Sequence, residues 1–333
     1  MDPYIIIFGL GVGILVGLTG MGGGSLMTPL LIIVFGVTPV TAVGTDLAYA
    51  AVTKTVGGWK HFRQKTVDVK LSWWMAFGSV PSAVGGVYVL ELLEEAYGER
   101  FDEILLAMLA AALLFTGVCV LARALFLPKM VDRERHTIEL ERRHKVSAVV
   151  IGVFVGFVLG VTSAGSGALI AVALILVFRL VPRRVVGTDV FHAALLLWAA
   201  AFAHLVAGNI DYGLAGTILI GSVPGVWLGS HWSVRIPVAN LRMALGIVLV
   251  GAGLGLATKA GADIPAPVLA GVPLSLGAYL VYKEVRRRRD EAAASPAADE
   301  PVPVAAAAST NGHGPAPPAP ERVPVAALGG EDS

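Results

Sequence analysis

Residues 19–25 read TGMGGGS. These four glycines in seven residues stand between the apolar runs IIIFGLGVGILVGL (5–18) and LMTPLLIIVFGV (26–37). A glycine in a helix interior costs about 1 kcal/mol relative to alanine. The run therefore breaks a helix inside sequence that is otherwise suited to a bilayer.

The rest of the chain agrees with a bilayer setting. Of its 333 residues, 56% are hydrophobic and 15% charged, and the charges gather between long uncharged runs. This is the composition of a polytopic membrane protein. A net charge of +1 gives no electrostatic footing for nucleic-acid binding. The single cysteine, Cys119, lies in an apolar run, excludes an intrachain disulfide and reads as core or lipid-facing filler. The first residues carry Asp2 where a signal peptide would have a basic region, and no small-residue cleavage site precedes the glycines.

Laid over itself, the sequence repeats. Gly44-Thr45-Asp46 recurs as Gly187-Thr188-Asp189, an offset of 187 − 44 = 143. The same offset carries Gly17, Thr19, Gly22, Gly24 and Leu26 onto Gly160, Thr162, Gly165, Gly167 and Leu169 without a gap. It also carries His61 and Asp68 onto His204 and Asp211, and GSVP at 78–81 onto GSVP at 221–224. Roughly a third of the paired positions from 9 to 86 are identical, which marks a duplicated unit. The mate of TGMGGGS is TSAGSGA at 162–168.

Hydropathy predicts five segments in each half: 4–18, 25–37, 42–61, 70–92 and 103–126, then 146–162, 168–181, 185–207, 212–232 and 238–257, with an eleventh at 264–283. Lys60, Arg63, Lys65 and Lys70 place the loop after the third segment inside the cell. Arg133, Arg135, Arg142 and Arg143 do the same for 127–145, as does Arg286 to Arg289 for the carboxyl end. The acidic loop with Glu91, Glu94 and Glu95, and the loop AGNID at 207–211, fall outside. The amino terminus is then outside and the carboxyl terminus cytoplasmic.

The expected fold is an all-α polytopic membrane protein. It has two inverted-topology repeats of five hydrophobic segments, the first two of each short and Gly-interrupted, plus one extra carboxyl-terminal transmembrane helix. The parts are a first repeat at 1–126, a charged cytoplasmic linker at 127–145, a second repeat at 146–258, the extra helix at 259–285 and a disordered cytoplasmic tail at 286–333.

Segment 25–37 would make about 20 Å of helix, too short for a hydrocarbon core of roughly 30 Å. Residues 4–37 thus read as a helix broken at the glycines, either re-entrant or discontinuous, a feature tolerated where it is buried or lines a wet space. Two such breaks, each opening a helix whose free N–H groups and positive dipole end point into it, suit a small oxyanion. The candidate substrate-binding residues are Thr19, Gly22, Gly23, Gly24 and Ser25 in the first half and Thr162, Ser163, Gly165, Ser166 and Gly167 in the second, with Thr28 as a further hydroxyl. Helix packing is the competing reading of the glycines.

Ionisable residues at membrane depth are functional candidates. Asp46 and Asp189 read as carriers of a coupling proton or cation, or as helix caps in GTD. Lys54, whose repeat mate is Leu197, reads as an anion ligand or as a snorkelling chain. His192, opposite Tyr49 in the repeat, reads as a proton carrier or a hydrogen-bonded core histidine. Asp68 and Asp211 read as caps of the segments they precede. Phosphate-loop, dinucleotide, Ser-His-Asp, HExxH and Cys/His patterns are missing from the sequence, so no enzyme, cofactor or metal is expected.

GLTGMGGGSLMTPLL, AVGTDLAYAAVTKTVGGWKHFRQKTVD and GSVPS resemble the sulfite exporter TauE/SafE family, also called the sulfonate uptake permease group, over residues 5 to about 258. The resemblance implies a plasma-membrane permease for a small sulfur-containing anion such as sulfite or an organosulfonate, coupled to H+ or Na+. The implied partners are that anion, the coupling ion and the lipid bilayer, with a homodimer left open. The alternatives are a cation-selective permease or channel using Asp46 and Asp189, and a non-transporting membrane receptor or scaffold.

Overall fold

The computed structural model describes residues 3–19, 24–126, 140–165, 167–232 and 238–294. Every regular element among them is helical. In chain order these are α1 (Pro3–Thr19), α2 (Gly24–Val34), α3 (Pro39–Arg63), α4 (Val69–Tyr97), α5 (Phe101–Phe126), α6 (Arg142–Thr162), α7 (Ala168–Leu176), α8 (Pro182–Val206), α9 (Tyr212–Trp232), α10 (Val238–Lys259) and α11 (Ala266–Ala294), with one 3-10 turn, Gly98–Arg100, between α4 and α5. Each of the eleven predicted segments has its helix. Residues 1–285 form one compact unit and 286–333 a second, of which only 286–294 are described.

Five stretches of the described residues are long and apolar enough to cross a membrane: Val69–Arg123, which takes in α4 and α5, then Arg142–Thr162, Pro182–Val206, Tyr212–Gly229 and Ala266–Lys283. The 25 residues of α3 rise about 37 Å, but Asp46, Lys54, Lys60 and Arg63 keep it out of that apolar set. α2 has 11 residues and α7 has 9, so neither spans a bilayer alone.

Helix starts follow local chemistry. Pro39 and Pro182 open α3 and α8, where a missing N–H costs nothing and φ is already helical. Asp68 Oδ1 accepts the Leu71 N–H at 3.1 Å at the head of α4. Asp211 Oδ1 accepts the Leu214 N–H at 2.9 Å at the head of α9. The capping role expected of both is met. The capping reading of Asp46 and Asp189 is not, because α3 and α8 begin seven residues before them.

Two boundaries also move. α6 starts at Arg142, inside the expected linker, of which 127–139 lie outside the described residues. α11 runs to Ala294, inside the expected tail, because the arginine, glutamate and alanine run from 286 favours helix.

Contacts between helices come in reciprocal pairs 143 residues apart. Gly9 and Gly13 of α1 meet the backbone of Ile218 and Ser222 on α9, while Gly152 and Gly156 of α6 meet Met75 and Ser79 on α4. A Cβ on Gly9 would stand 2.8 Å from the Ile218 carbonyl oxygen, closer than side chains tolerate. Here glycine is what lets two backbones touch. Thr188 Oγ1 accepts the Asp68 N–H at 2.9 Å, and Thr45 Oγ1 accepts the Asp211 N–H at 3.1 Å. Left-handed backbone also recurs at mates: Gly36 with Arg179 (φ +66° and +52°), Lys65 with Gly208 (φ +56° and +76°).

α3 and α8 pack antiparallel. Gly44 meets Asn209, Thr55 meets Trp198, Phe62 stacks on Phe191 and Thr66 meets Gly187. Buried faces of α2, α3, α5, α6, α7 and α8 meet in one apolar core that includes Met27, Leu47, Tyr49, Leu109, Leu159, Ile170 and Leu196.

Candidate functional site

Asp46 is fully buried on α3. Its Oδ2 accepts hydrogen bonds from Thr28 Oγ1 at 2.6 Å and from Ser163 Oγ at 2.8 Å. Thr28 lies on α2, the helix opened by the first glycine run, and Ser163 is the first residue past α6, in the second run. One carboxylate oxygen thus joins α2 to the second glycine loop. A second tie runs beside it, with the Gly165 N–H donating to Ser25 Oγ at 3.3 Å, which brings the amino end of α2 against the second glycine loop. Asp46 Oδ1 is buried and takes no hydrogen bond.

The chain reaches this geometry through a strained turn. Ser163 caps α6 at φ +55° with its N–H bonded to the Leu159 carbonyl at 2.8 Å. Left-handed backbone costs a non-glycine residue on the order of 1 kcal/mol and persists where other contacts hold it. The Ser163–Asp46 bond is such a contact. Gly165 follows at φ +97°, where a Cβ would run into Leu169. Thr162 is occupied locally, its hydroxyl donating to the Val158 carbonyl at 2.6 Å and accepting the Ala164 N–H at 3.2 Å. That places Ser163, rather than Thr162, toward the first half.

Thr116 on α5 was not singled out by the sequence. Its hydroxyl lies 3.6 Å from where a Gly165 Cβ would be, is buried and has no hydrogen-bond partner. The only sequence signal for it is a hydroxyl followed by glycine in the apolar run of α5.

Lys54 is 5% exposed, and its Nζ is enclosed without a hydrogen-bond partner. The ammonium is closed off from water, which a snorkelling chain reaches. Between Asp46 and Lys54, Tyr49 directs its hydroxyl toward Ser222 of α9, yet neither oxygen closes a hydrogen bond. The repeat mates of these two residues do meet, with His192 Nε2 3.3 Å from Ser79 Oγ in a fully buried position.

Asp189 is buried on α8, but its surroundings are not a copy of those of Asp46. The mates of Thr28 and Ser163 are Ala171 and Gly20, which carry no hydroxyl. Of the remaining candidates, Thr19 closes α1, Gly24 opens α2 and Gly167 precedes α7. Gly22, Gly23 and Ser166 lie outside the described residues.

Buried polar atoms in folded proteins are nearly always paired, because leaving one dry costs a few kcal/mol. Lys54, Thr116, Tyr49 and Ser222 carry unpaired donors, and Asp46 Oδ1 is an unpaired acceptor. Among the described residues, no group of three His, Cys, Asp or Glu side chains could hold a metal ion.

Comparison with known proteins supplies the wider setting. A family model described as "Sulfite exporter TauE/SafE" matches residues 5–256. The "Probable membrane transporter protein YjnA" of Bacillus subtilis is 41% identical over 256 residues, covering 77% of this chain and 100% of its own length. The YdhB protein of the same organism, with the same description, is 27% identical over 73% of this chain and 94% of its own. The "Probable membrane transporter protein MJ0441" of Methanocaldococcus jannaschii is 27% identical over 76% and 94%. No solved structure matches the chain.

Proposed function

The chain belongs to the sulfite exporter TauE/SafE family of membrane transporters, and on that premise we propose that it is a secondary transporter of a small sulfur-containing anion such as sulfite or an organosulfonate. The transported anion sits between the two glycine breaks, with Ser25, Ser163, Gly165 and Lys54 as its nearest ligands and Thr116 as an added hydroxyl. H+ or Na+ drives the movement through an acidic residue of the GTD motifs. The observation that carries this reading is the convergence of Thr28 and Ser163, one from each repeat, on a single oxygen of Asp46.

The two repeats are read as oppositely oriented in the plasma membrane. Antiparallel packing of the equivalent helices α3 and α8 supports this, since a two-fold axis relating them must lie across both helices and hence along the membrane plane. The Lys and Arg of 60–70 against the uncharged mate loop at 207–210 support an outside amino terminus and a cytoplasmic carboxyl terminus.

Purified protein in liposomes tests the function. Uptake of labelled sulfite or an alkanesulfonate, driven by an imposed pH or sodium gradient and absent from empty vesicles, is the expected result. A second reading, a cation permease, draws on the unpaired Asp46 Oδ1. Cation flux in the same vesicles that persists without any oxyanion would favour it over the first.

A further inference from the structure

We infer that Asp46 links proton binding to anion binding, so that each anion enters the site together with one proton taken up by this carboxyl. The inference rests on the oxyanion reading above and specifies which ion accompanies the substrate and where it is held.

The geometry poses a competition. A hydroxyl has one hydrogen to give, and those of Thr28 and Ser163 are both given to Asp46 Oδ2, at 2.6 and 2.8 Å. While the carboxylate holds them, these donors, one from α2 and one from the second glycine loop, cannot serve a bound oxyanion. The carboxylate itself occupies the ground next to the amino end of α2, where a negative charge is favoured. A second negative charge placed beside it, in a poorly screened interior, is repelled.

Protonation removes both obstacles. A proton added at Oδ1, the oxygen with no partner, neutralises the carboxyl and weakens its hold on the two hydroxyls. The new O–H becomes a donor itself. The charges then balance: one proton in, one carboxylate neutralised, one monovalent anion accommodated without a change in the charge of the site.

The other titratable groups among the described residues lie on the elements around Asp46 as follows. On α3, Tyr49 is one turn away, Lys54 lies eight residues, or about 12 Å, along the axis, and Lys60, His61 and Arg63 close the helix. α2, and the stretch from Val146 through α7, contain no titratable side chain. On α5 the charged residues sit at the ends, at Asp102, Glu103 and Arg123, and Cys119 is half-buried and free. On α8 there are Arg183 and Arg184 in the first turn, then Asp189, His192 and, in the last turn, His204; His192 faces Ser79 and His204 the Gly160 carbonyl. α9 carries Tyr212 and His231 near its two ends. Lys259 of α10 donates to the Ile32 carbonyl near the carboxyl end of α2, the end away from Asp46.

Titration calorimetry on the full-length protein in detergent tests this, using methanesulfonate, which keeps one charge from pH 5 to 9, and sulfite with its own protonation subtracted. Buffers of different ionisation enthalpy report the protons exchanged. The expected result is uptake of about one proton per bound anion, with affinity falling close to tenfold per pH unit on the alkaline side. Asp46→Asn, of the same shape and always neutral, binds without proton uptake and without that pH dependence. Ser163→Ala, which removes one bond favouring the ionised form, moves the midpoint to higher pH.

Wild-type binding with no proton uptake, a full pH dependence surviving in Asp46→Asn, or an affinity set by sodium instead of pH would each overturn the linkage while leaving the oxyanion reading intact. Should Asp46→Asn not insert, an unmoved midpoint in Ser163→Ala overturns it. Failure of wild type to bind either anion at any pH removes the oxyanion reading, and the linkage with it.

Discussion

Trp198 donates its indole N–H to the hydroxyl of Thr55 at 2.8 Å, and the two residues are each other's repeat counterparts, since 198 − 55 = 143. A residue can touch its own counterpart only on the axis that exchanges the two halves. Lys54 is therefore one residue from the axis, and its counterpart is Leu197.

That axis makes a topological prediction. In a Cys119→Ser background, Gln64→Cys and Tyr212→Cys place single thiols at exposed positions in matching regions of the two halves. A membrane-impermeant maleimide should label position 212 from outside intact cells and position 64 only in inverted vesicles. Labelling of both from one side would remove the antiparallel relation.

The glycines of α1 separate close packing from chance composition. A Cβ on Gly13 would stand 2.7 Å from the Ser222 Cα, whereas one on Gly11 would meet nothing within 4 Å. Gly13→Ala should therefore cost about 1–3 kcal/mol by overpacking, and Gly11→Ala should be neutral or stabilise by up to about 1 kcal/mol through helix propensity. Thermal unfolding of the two variants in the same detergent reads the difference. Equal melting temperatures would refute the backbone contact.

Much of this arrangement was legible in the sequence, and the reasons differ by residue. The eleven helices followed from apolar runs and the loops between them, because a bilayer leaves few other options for such sequence. The capping roles of Asp68 and Asp211 followed from their position before a helix. For Asp46 the sequence left two readings open, a coupling carrier or a cap, because GTD looks like a helix start until Pro39 is seen to begin α3 earlier. Thr162 and Ser163 could not be ranked either. Only the left-handed turn at Ser163 decides which hydroxyl crosses to the other half, and a serine in that conformation has no signature in composition. Thr116 was invisible because its contact with the second glycine loop is made across 49 residues of sequence, from 116 to 165.

Lys54→Leu copies into α3 the residue that its counterpart position already accepts, so the fold should tolerate it. Loss of a charged hydrogen bond to the anion is worth about 1.5–3 kcal/mol, or roughly 10- to 150-fold. The Michaelis constant for sulfite uptake in liposomes should rise by that factor. Unchanged kinetics in a variant that inserts and melts like wild type would remove Lys54 from the site.

Thr28 and Ser163 give the sharpest test of whether the two halves meet at Asp46, because the residues are 135 positions apart and share one acceptor oxygen. Each variant, Thr28→Val or Ser163→Ala, removes one donor from a buried carboxylate and should destabilise the protein by about 1–3 kcal/mol. Independent sites more than about 7–10 Å apart would add to within roughly 0.5 kcal/mol. These two should not add, since the carboxylate that has lost one donor leans harder on the other, so the double variant should lose more than the sum of the singles. Repeating the cycle with Asp46→Asn as background removes the shared charge and should bring the coupling close to zero. Additive losses in the wild-type background would mean that the carboxylate does not couple α2 to the second glycine loop.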